Sequence, residues 1–185
     1  YSCGHCADQA PVIQQVVKRH PKIKLLHKHY AFISDSSVLA ARAANCAHRQ
    51  GRFWDMNSAI FDNLKKDWTA DDLSFLANAR VGLDRANFET CLEDPSIQSD
   101  IDNDYETAQK AGVSGTPSFF VNFGGQVWIK INGAADTLEY ILSLAEQGES
   151  FPGLSEESAA APEAPPPHEP ESSVGTDQAD DSEPE

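Results

Sequence analysis

The sequence predicts an α/β fold interrupted by a block of helices and followed by an acidic tail that does not fold. Three observations predict it. Strand-like apolar runs stand at two separate places, near residues 23–32 and 118–131, with helical periodicity around them. Between the two, from Ser34 to Gly112, the period is helical throughout. Beyond Gly148 the composition turns to Pro, Ser, Ala and acid. Strands separated by helices argue for an α/β sandwich, and the position of the helical block argues for an insertion into it.

Taken in order, Ala7 to His20 reads as a helix, with Ile13, Val16 and Val17 at helical spacing and Pro11 still within the first turns. Pro21 stops it. Ile23 to Phe32 is dense in apolar and aromatic residues and reads as a buried strand. In the helical block Leu39, Ala43, Cys46 and Ala47 share one face, and Phe53, Ile60, Phe61 and Leu64 mark a second helix. Thr69 with Asp72 three residues on forms a capping box ahead of Leu73, Leu76 and Ala77. Asp84 caps a helix carrying Phe88, Cys91 and Leu92. Pro95 breaks the pattern, Ile97, Ile101, Tyr105 and Ala108 mark the next helix, and Gly112 is its C-terminal glycine. Ser118–Asn122 and Gln126–Ile131 read as strands joined by a Gly124-Gly125 hairpin signal. A last helix spans Ala134 to Gln147, with Leu138, Ile141, Leu142 and Ala145 inward.

Charge narrows the function. The chain of 185 residues carries a formal net charge of −15. From Glu149 to Glu185 there are 11 acidic residues and no Lys or Arg, which leaves only −4 on Tyr1–Gly148. No Lys/Arg-rich stripe is present to grip phosphates, so nucleic acid is not an expected partner. No run of about 18 apolar residues occurs, so no membrane-crossing helix is expected. Residues 149–185 include Pro165-Pro166-Pro167 and cannot bury enough apolar area to fold; they are expected to be disordered. No signal peptide is visible. Because the chain opens two residues before a reactive motif, upstream sequence carrying a signal and a strand is expected to be missing.

That motif is Cys3-Gly4-His5-Cys6. Two thiols three positions apart at a helix start can close a disulfide. The first lies where free backbone N–H groups and the positive end of the helix dipole stabilise a thiolate. The His5 imidazole can add a hydrogen bond or a positive charge. Stabilising the thiolate stabilises the reduced form, so the disulfide becomes a better oxidant. A pKa depressed by two to three units, roughly 3–4 kcal/mol, shifts the potential by several tens of millivolts. The alternative is half of a zinc site, but tetrahedral zinc needs a second close pair, and Cys46 and Cys91 stand alone. A second constellation runs from Gly112 to Phe120, with Pro117 opening a strand, a place proline tolerates. A cis Thr116–Pro117 bond would leave the Thr116 backbone groups available to a substrate chain; from the residues alone a trans bond is the expected form.

A CxxC at a helix start, together with Val113-Ser114-Gly115-Thr116-Pro117 before a strand hairpin, resembles the DsbA-like branch of the thioredoxin superfamily. The stretch from Ala40 through Cys46-Ala47 to Gln50-Gly51-Arg52-Phe53-Trp54-Asp55-Met56 is similar to the start of the helical insertion in that family. The resemblance covers about residues 1–147. It implies a thioredoxin-like fold with an inserted helical domain, its first strand absent from this chain. The thioredoxin-like domain would be residues 1–33 and 113–148, the insertion 34–112 and the tail 149–185. It implies that Cys3 is the exposed nucleophile, Cys6 the buried resolving thiol, Pro117 a cis-proline facing the disulfide, and Thr116 a contact to the substrate backbone. The acidic Pro-rich tail lies outside the family pattern.

Cys46 and Cys91 fall on inward helix faces. As in some members of the family, a structural disulfide between them is expected; the alternative is two buried free thiols. His20, His27 and His29 flank the first strand and are expected to be partly exposed rather than metal ligands. Trp54, Phe61, Trp68 and Phe75 read as core or groove lining. The function expected is that of a protein-disulfide oxidoreductase, a disulfide oxidase in the periplasm or another extracytoplasmic space. Its partners would be cysteine-containing proteins and a redox protein that reoxidises it, with no metal or organic cofactor. The rivals are a disulfide isomerase or reductase, and a non-catalytic zinc-binding module.

Overall fold

The computed structural model describes residues 1–122, 128–132 and 135–146. Their elements run α1 (Gly4–Arg19), α2 (Asp35–Arg49), α3 (Phe53–Asp62), α4 (Ala70–Phe75), α5 (Arg85–Glu93), α6 (Pro95–Lys110), β1 (Ser118–Asn122), β2 (Trp128–Asn132) and α7 (Ala135–Glu146). A π-helical turn, Leu76–Val81, prolongs α4 and ends at Gly82, whose φ of 75° favours a residue without a Cβ. The Gly124-Gly125 hairpin signal and the acidic tail fall outside the described residues.

Local chemistry sets most helix ends. Ser34 accepts from the Ser37 N–H at 3.2 Å to start α2. Thr69 and Asp72 form a reciprocal capping box at α4. Asp84 caps α5 through the Asn87 N–H, and Asp94 caps α6 through Ser96, with Pro95 in the first turn where its missing N–H has no consequence. At the other end of α6, Gly112 (φ 68°) and Val113 donate back to Gln109 and Ala108, a Schellman closure.

Two groups of buried side chains result. The larger joins α2 to α6 through Ala40, Ala44, Cys46, Met56, Ile60, Leu73, Phe88, Ile97 and Ile101. Fully burying a side chain such as Ile60 or Phe88 contributes about 1.5–3 kcal/mol. The smaller sets Val16 of α1 against Val121 and Ile131 of the strands and Leu138, Ile141 and Leu142 of α7. β1 and β2 pair antiparallel, with Phe119 opposite Ile131 and Phe120 opposite Lys130. A disulfide joins Cys46 of α2 to Cys91 of α5, with Cα atoms 5.7 Å apart.

Two expectations need correction. The first helix begins at Gly4 rather than Ala7. Gly4-His5-Cys6 carries no apolar period to announce it, yet Cys3 in extended conformation (φ −93°, ψ 113°) occupies the N-cap. Residues 23–32 are neither a strand nor doubly buried. Among the described residues no backbone ladder joins residues 24–33 to another element; the His29 N–H donates instead to the Asp104 carboxylate at 2.9 Å. A strand needs a paired edge, which composition cannot supply. Exposure alternates along the segment: Lys22, Lys24, Leu26 and Lys28 face outward while Ile23, Leu25, His27 and His29 face in.

Candidate active site

Cys3 and Cys6 are free thiols, one helical turn apart at the start of α1. The Cys3 Sγ donates to the Thr116 carbonyl at 3.6 Å. The Thr116–Pro117 peptide is cis. The loop that follows α6 therefore sets Thr116 directly against the sulfur at the N-cap.

The two thiols have unlike environments. Burial of Cys3 works to raise its pKa. Hydrogen bonds from the Thr116 side chain, the Cys6 thiol and the backbone N–H groups of Cys6 and His5 outweigh burial, and the net displacement is downward. Cys6 lies deeper. Burial comes first and pushes its thiol up to about 11, with the Thr116 hydrogen bond opposing and Cys3 reinforcing. Near neutral pH the pair holds one proton firmly, on Cys6, which donates it toward Cys3.

His5 lies in the first turn with its side chain exposed. What bears on the Cys3 sulfur is its backbone N–H. That hydrogen bond comes from the position of His5 in the helix.

Three side chains that the sequence did not single out fix the loop. The Tyr30 hydroxyl donates to the Val113 carbonyl at 3.2 Å, and its ring stacks on Tyr105 at 4.9 Å. Ser118 Oγ donates to the Gly115 carbonyl at 2.8 Å, and Lys130 Nζ donates to the Gly112 carbonyl. Tyr30 is 83 residues from its partner. The only local hint was the hydroxyl of Ser118 next to Pro117.

Near the start of α1, Tyr1 packs its ring against Phe61 at 4.9 Å and against His27 at 6.2 Å, and its hydroxyl accepts from Asn57. His29 is buried, and its Nε2 lies 2.9 Å from Asn45 Oδ1. An amide oxygen only accepts, so the neutral ring carries its proton on Nε2, leaving Nδ1 to accept from His27 Nε2 at 3.3 Å. Burial lowers the pKa of both rings, that of His27 to about 3, with the neighbouring imidazole adding to the effect there. His20 is also buried, so the expectation of partly exposed histidines holds only for His27. Trp68 is buried, whereas Trp54 and Phe75 are exposed. Among the described residues no three His, Cys, Asp or Glu side chains converge on a possible metal position, and no helix is long and apolar enough to cross a membrane.

The chain is similar to known proteins in sequence and in fold. The chain is 28% identical over 124 residues to a Na(+)/H(+) antiporter NhaA 3 of Salinispora tropica, covering 66% of this chain and 19% of the antiporter. It is 32% identical over 108 residues to a probable disulfide bond formation protein D of Bacillus cereus, covering 55% of this chain and 50% of that protein. The chain thus spans half or less of the length of these relatives. Its fold is similar to the crystal structure of the thiol-disulfide exchange protein alpha-DsbA2 of Wolbachia pipientis, with a TM-score of 0.64, 20% identity, and coverage of 77% of this chain and 76% of the other. The thioredoxin family model matches residues 1–137, from Tyr1, two residues before the N-cap cysteine, across the helical block and both strands into α7. On that match the chain belongs to the thioredoxin family.

Proposed function

We propose that the protein exchanges disulfides with cysteine-containing protein substrates through Cys3 and Cys6, and that it works chiefly as an oxidase. One observation carries the reading: a thiol at a helix N-cap, held against the Thr116 carbonyl, one turn from a second thiol that keeps its proton. In the oxidative direction a substrate thiolate attacks Cys3 Sγ of the Cys3–Cys6 disulfide. The Cys3–Cys6 bond breaks, a mixed disulfide forms at Cys3, and Cys6 leaves and takes up a proton. A second substrate thiolate attacks the substrate sulfur, and Cys3 leaves as a stabilised thiolate. Two electrons pass from the substrate dithiol to the enzyme, which a redox partner must then reoxidise. Thr116 would bind the substrate backbone beside Pro117, and neither metal nor organic cofactor enters.

The hydrogen bonds on the Cys3 sulfur favour the oxidase over the isomerase or reductase, because they stabilise the reduced product. The Cys46–Cys91 bridge favours an oxidising, extracytoplasmic setting such as the periplasm. In this reading residues 1–33 and 113–148 form the exchanging domain and 34–112 its helical insertion. The test is a peptide-dithiol oxidation assay paired with a redox equilibrium against glutathione. The oxidase reading expects turnover that Cys3→Ser abolishes and a potential well above that of thioredoxin, about −270 mV. A potential near the thioredoxin value would make the protein a reductase, and undiminished turnover in Cys3→Ser would remove the exchange reading altogether.

A further inference from the structure

Thr116 meets the Cys3 sulfur with two groups of opposite character. Its carbonyl accepts a hydrogen bond from the Cys3 thiol at 3.6 Å. Its side chain donates to the same sulfur in the ionised form. The two contacts answer to different states of Cys3. A thiol has one hydrogen to donate, whereas a thiolate or a disulfide sulfur has none. The carbonyl is therefore engaged from α1 only while Cys3 is a neutral thiol. Its neighbours in the loop are held permanently: Lys130, Tyr30 and Ser118 occupy the carbonyls of Gly112, Val113 and Gly115. Among the described residues the Thr116 carbonyl has no second donor. It is thus the loop carbonyl whose partner depends on the chemical state of the nucleophile.

We propose that the Cys3 thiol competes with the client for its seat. The Thr116 carbonyl is open to a client backbone N–H while Cys3 is ionised or bonded to sulfur, and closed while Cys3 carries its proton. The inference rests on the reading that client backbone binds at Thr116, and it adds a regulation to that seat. The oxidised enzyme offers a free carbonyl. After exchange Cys3 leaves as a thiolate. One proton taken up from solvent then puts S–H where the client N–H was, and the product is displaced. Reoxidation removes that proton and reopens the seat. The titratable groups facing the sulfur are the Cys6 thiol and the Tyr1 amino group; Ser114, Gly115, Thr116 and Pro117 carry none. Cys6 keeps its proton to about 11, so in the acid and neutral range it does not change the seat. Competition from a single hydrogen bond of this kind alters affinity about two- to tenfold.

The probe is the peptide dithiol of the exchange assay with its cysteines replaced by serine, which can bind but not exchange. Its affinity is measured for the oxidised protein, the reduced protein and Cys3→Ala, on both sides of the Cys3 titration as located by thiolate absorbance. The oxidised protein and Cys3→Ala should bind alike and without pH dependence. The reduced protein should bind about two- to tenfold more weakly on the acid side and recover on the alkaline side. By reciprocity, saturating peptide should lower the thiolate midpoint by about 0.3–1 pH unit. In the free reduced protein the Thr116 carbonyl carbon resonance should move across the same titration. Equal affinity of reduced and oxidised protein on the acid side would overturn the proposal, as would a carbonyl resonance indifferent to Cys3. The same pH dependence in Cys3→Ala would assign the effect to another group, such as the Tyr1 amine, and overturn it too. Absence of peptide binding in every form, with exchange intact, would overturn the seat while leaving the exchange reading; absence of exchange itself would remove the reading beneath it.

Discussion

The Cys3 sulfur lies 3.6 Å from the carbonyl oxygen of Thr116, a residue 113 positions further along the chain. The hydrogen bonds the sulfur accepts from the Thr116 side chain, the Cys6 thiol and the backbone N–H groups of Cys6 and His5, rather than the one it donates to that carbonyl, set an expectation for pH. The Cys3 pKa is displaced downward in the folded reduced protein, so the stabilisation exists while the thiolate does and fades as pH falls through the folded pKa. Attack of the dithiol on a small disulfide should therefore rise with pH and level off below the ordinary thiol value of about 8.5. Thiolate absorbance against pH measures it; a midpoint at or above the ordinary value would contradict the site geometry.

Cys6 should behave oppositely. Its thiol holds its proton to about 11, so Cys6→Ala leaves Cys3 able to attack but unable to be resolved from within. The variant should accumulate a mixed disulfide, visible by non-reducing mass spectrometry. It should also show a higher Cys3 pKa, having lost the hydrogen bond from the second thiol. Rapid release without added thiol would argue against the assigned roles.

Tyr30→Phe removes the hydroxyl that holds the Val113 carbonyl while keeping the ring against Tyr105. A lost hydrogen bond of this kind contributes about 0.5–1.5 kcal/mol. The expected result is a KM for peptide dithiol raised about two- to tenfold, with the Cys3 pKa nearly unchanged. Kinetics and titration of the same sample separate this from a general loss of stability.

The two inward histidines predict acid sensitivity. His27 stays neutral down to about pH 3 in the fold because burial opposes its charge, whereas an unfolded histidine titrates near 6.5. Between those values the unfolded chain binds the extra proton, so stability falls as pH falls. The slope is up to about 1.4 kcal/mol per pH unit. Urea denaturation of the parent and of His27→Gln from pH 7 to 4 checks it: the variant should show a shallower slope.

The Cys46–Cys91 bridge closes a loop of 45 residues, and constraining such a loop in the unfolded chain is worth roughly 3–4 kcal/mol. Replacing both cysteines by Ala should lower the urea midpoint accordingly while the exchange chemistry at Cys3 persists. A loss of exchange in a still-folded variant would give the bridge a part in the reaction.

Features written in short stretches of chain were legible before the structure. The Thr69–Asp72 box, the Asp84 cap and Gly112 at the end of α6 depend on residues within a few positions, so spacing alone reveals them. Residues 23–32 misled because a strand is defined by its neighbour, and the His29 amide found a carboxylate instead. Cys3 and Cys6 announced themselves, but the hydrogen bond from the His5 backbone to the sulfur did not, because any residue with a backbone N–H at that place in the helix can supply it. Tyr30, Lys130 and the His29–Asn45 pair were hidden for a further reason. Each acts on a partner fixed by tertiary packing, and ordinary residue types carry no mark of such a partner.

The loop before β1 is anchored from three sides, by Tyr30, Ser118 and Lys130. Three hydrogen bonds fix its shape before anything binds. If a substrate chain docks there as proposed, it would meet a finished surface, with little ordering entropy left to be lost on encounter and modest contacts enough for binding and release. One such seat would then suit chains of differing sequence, with selection among them left to whatever flanks it.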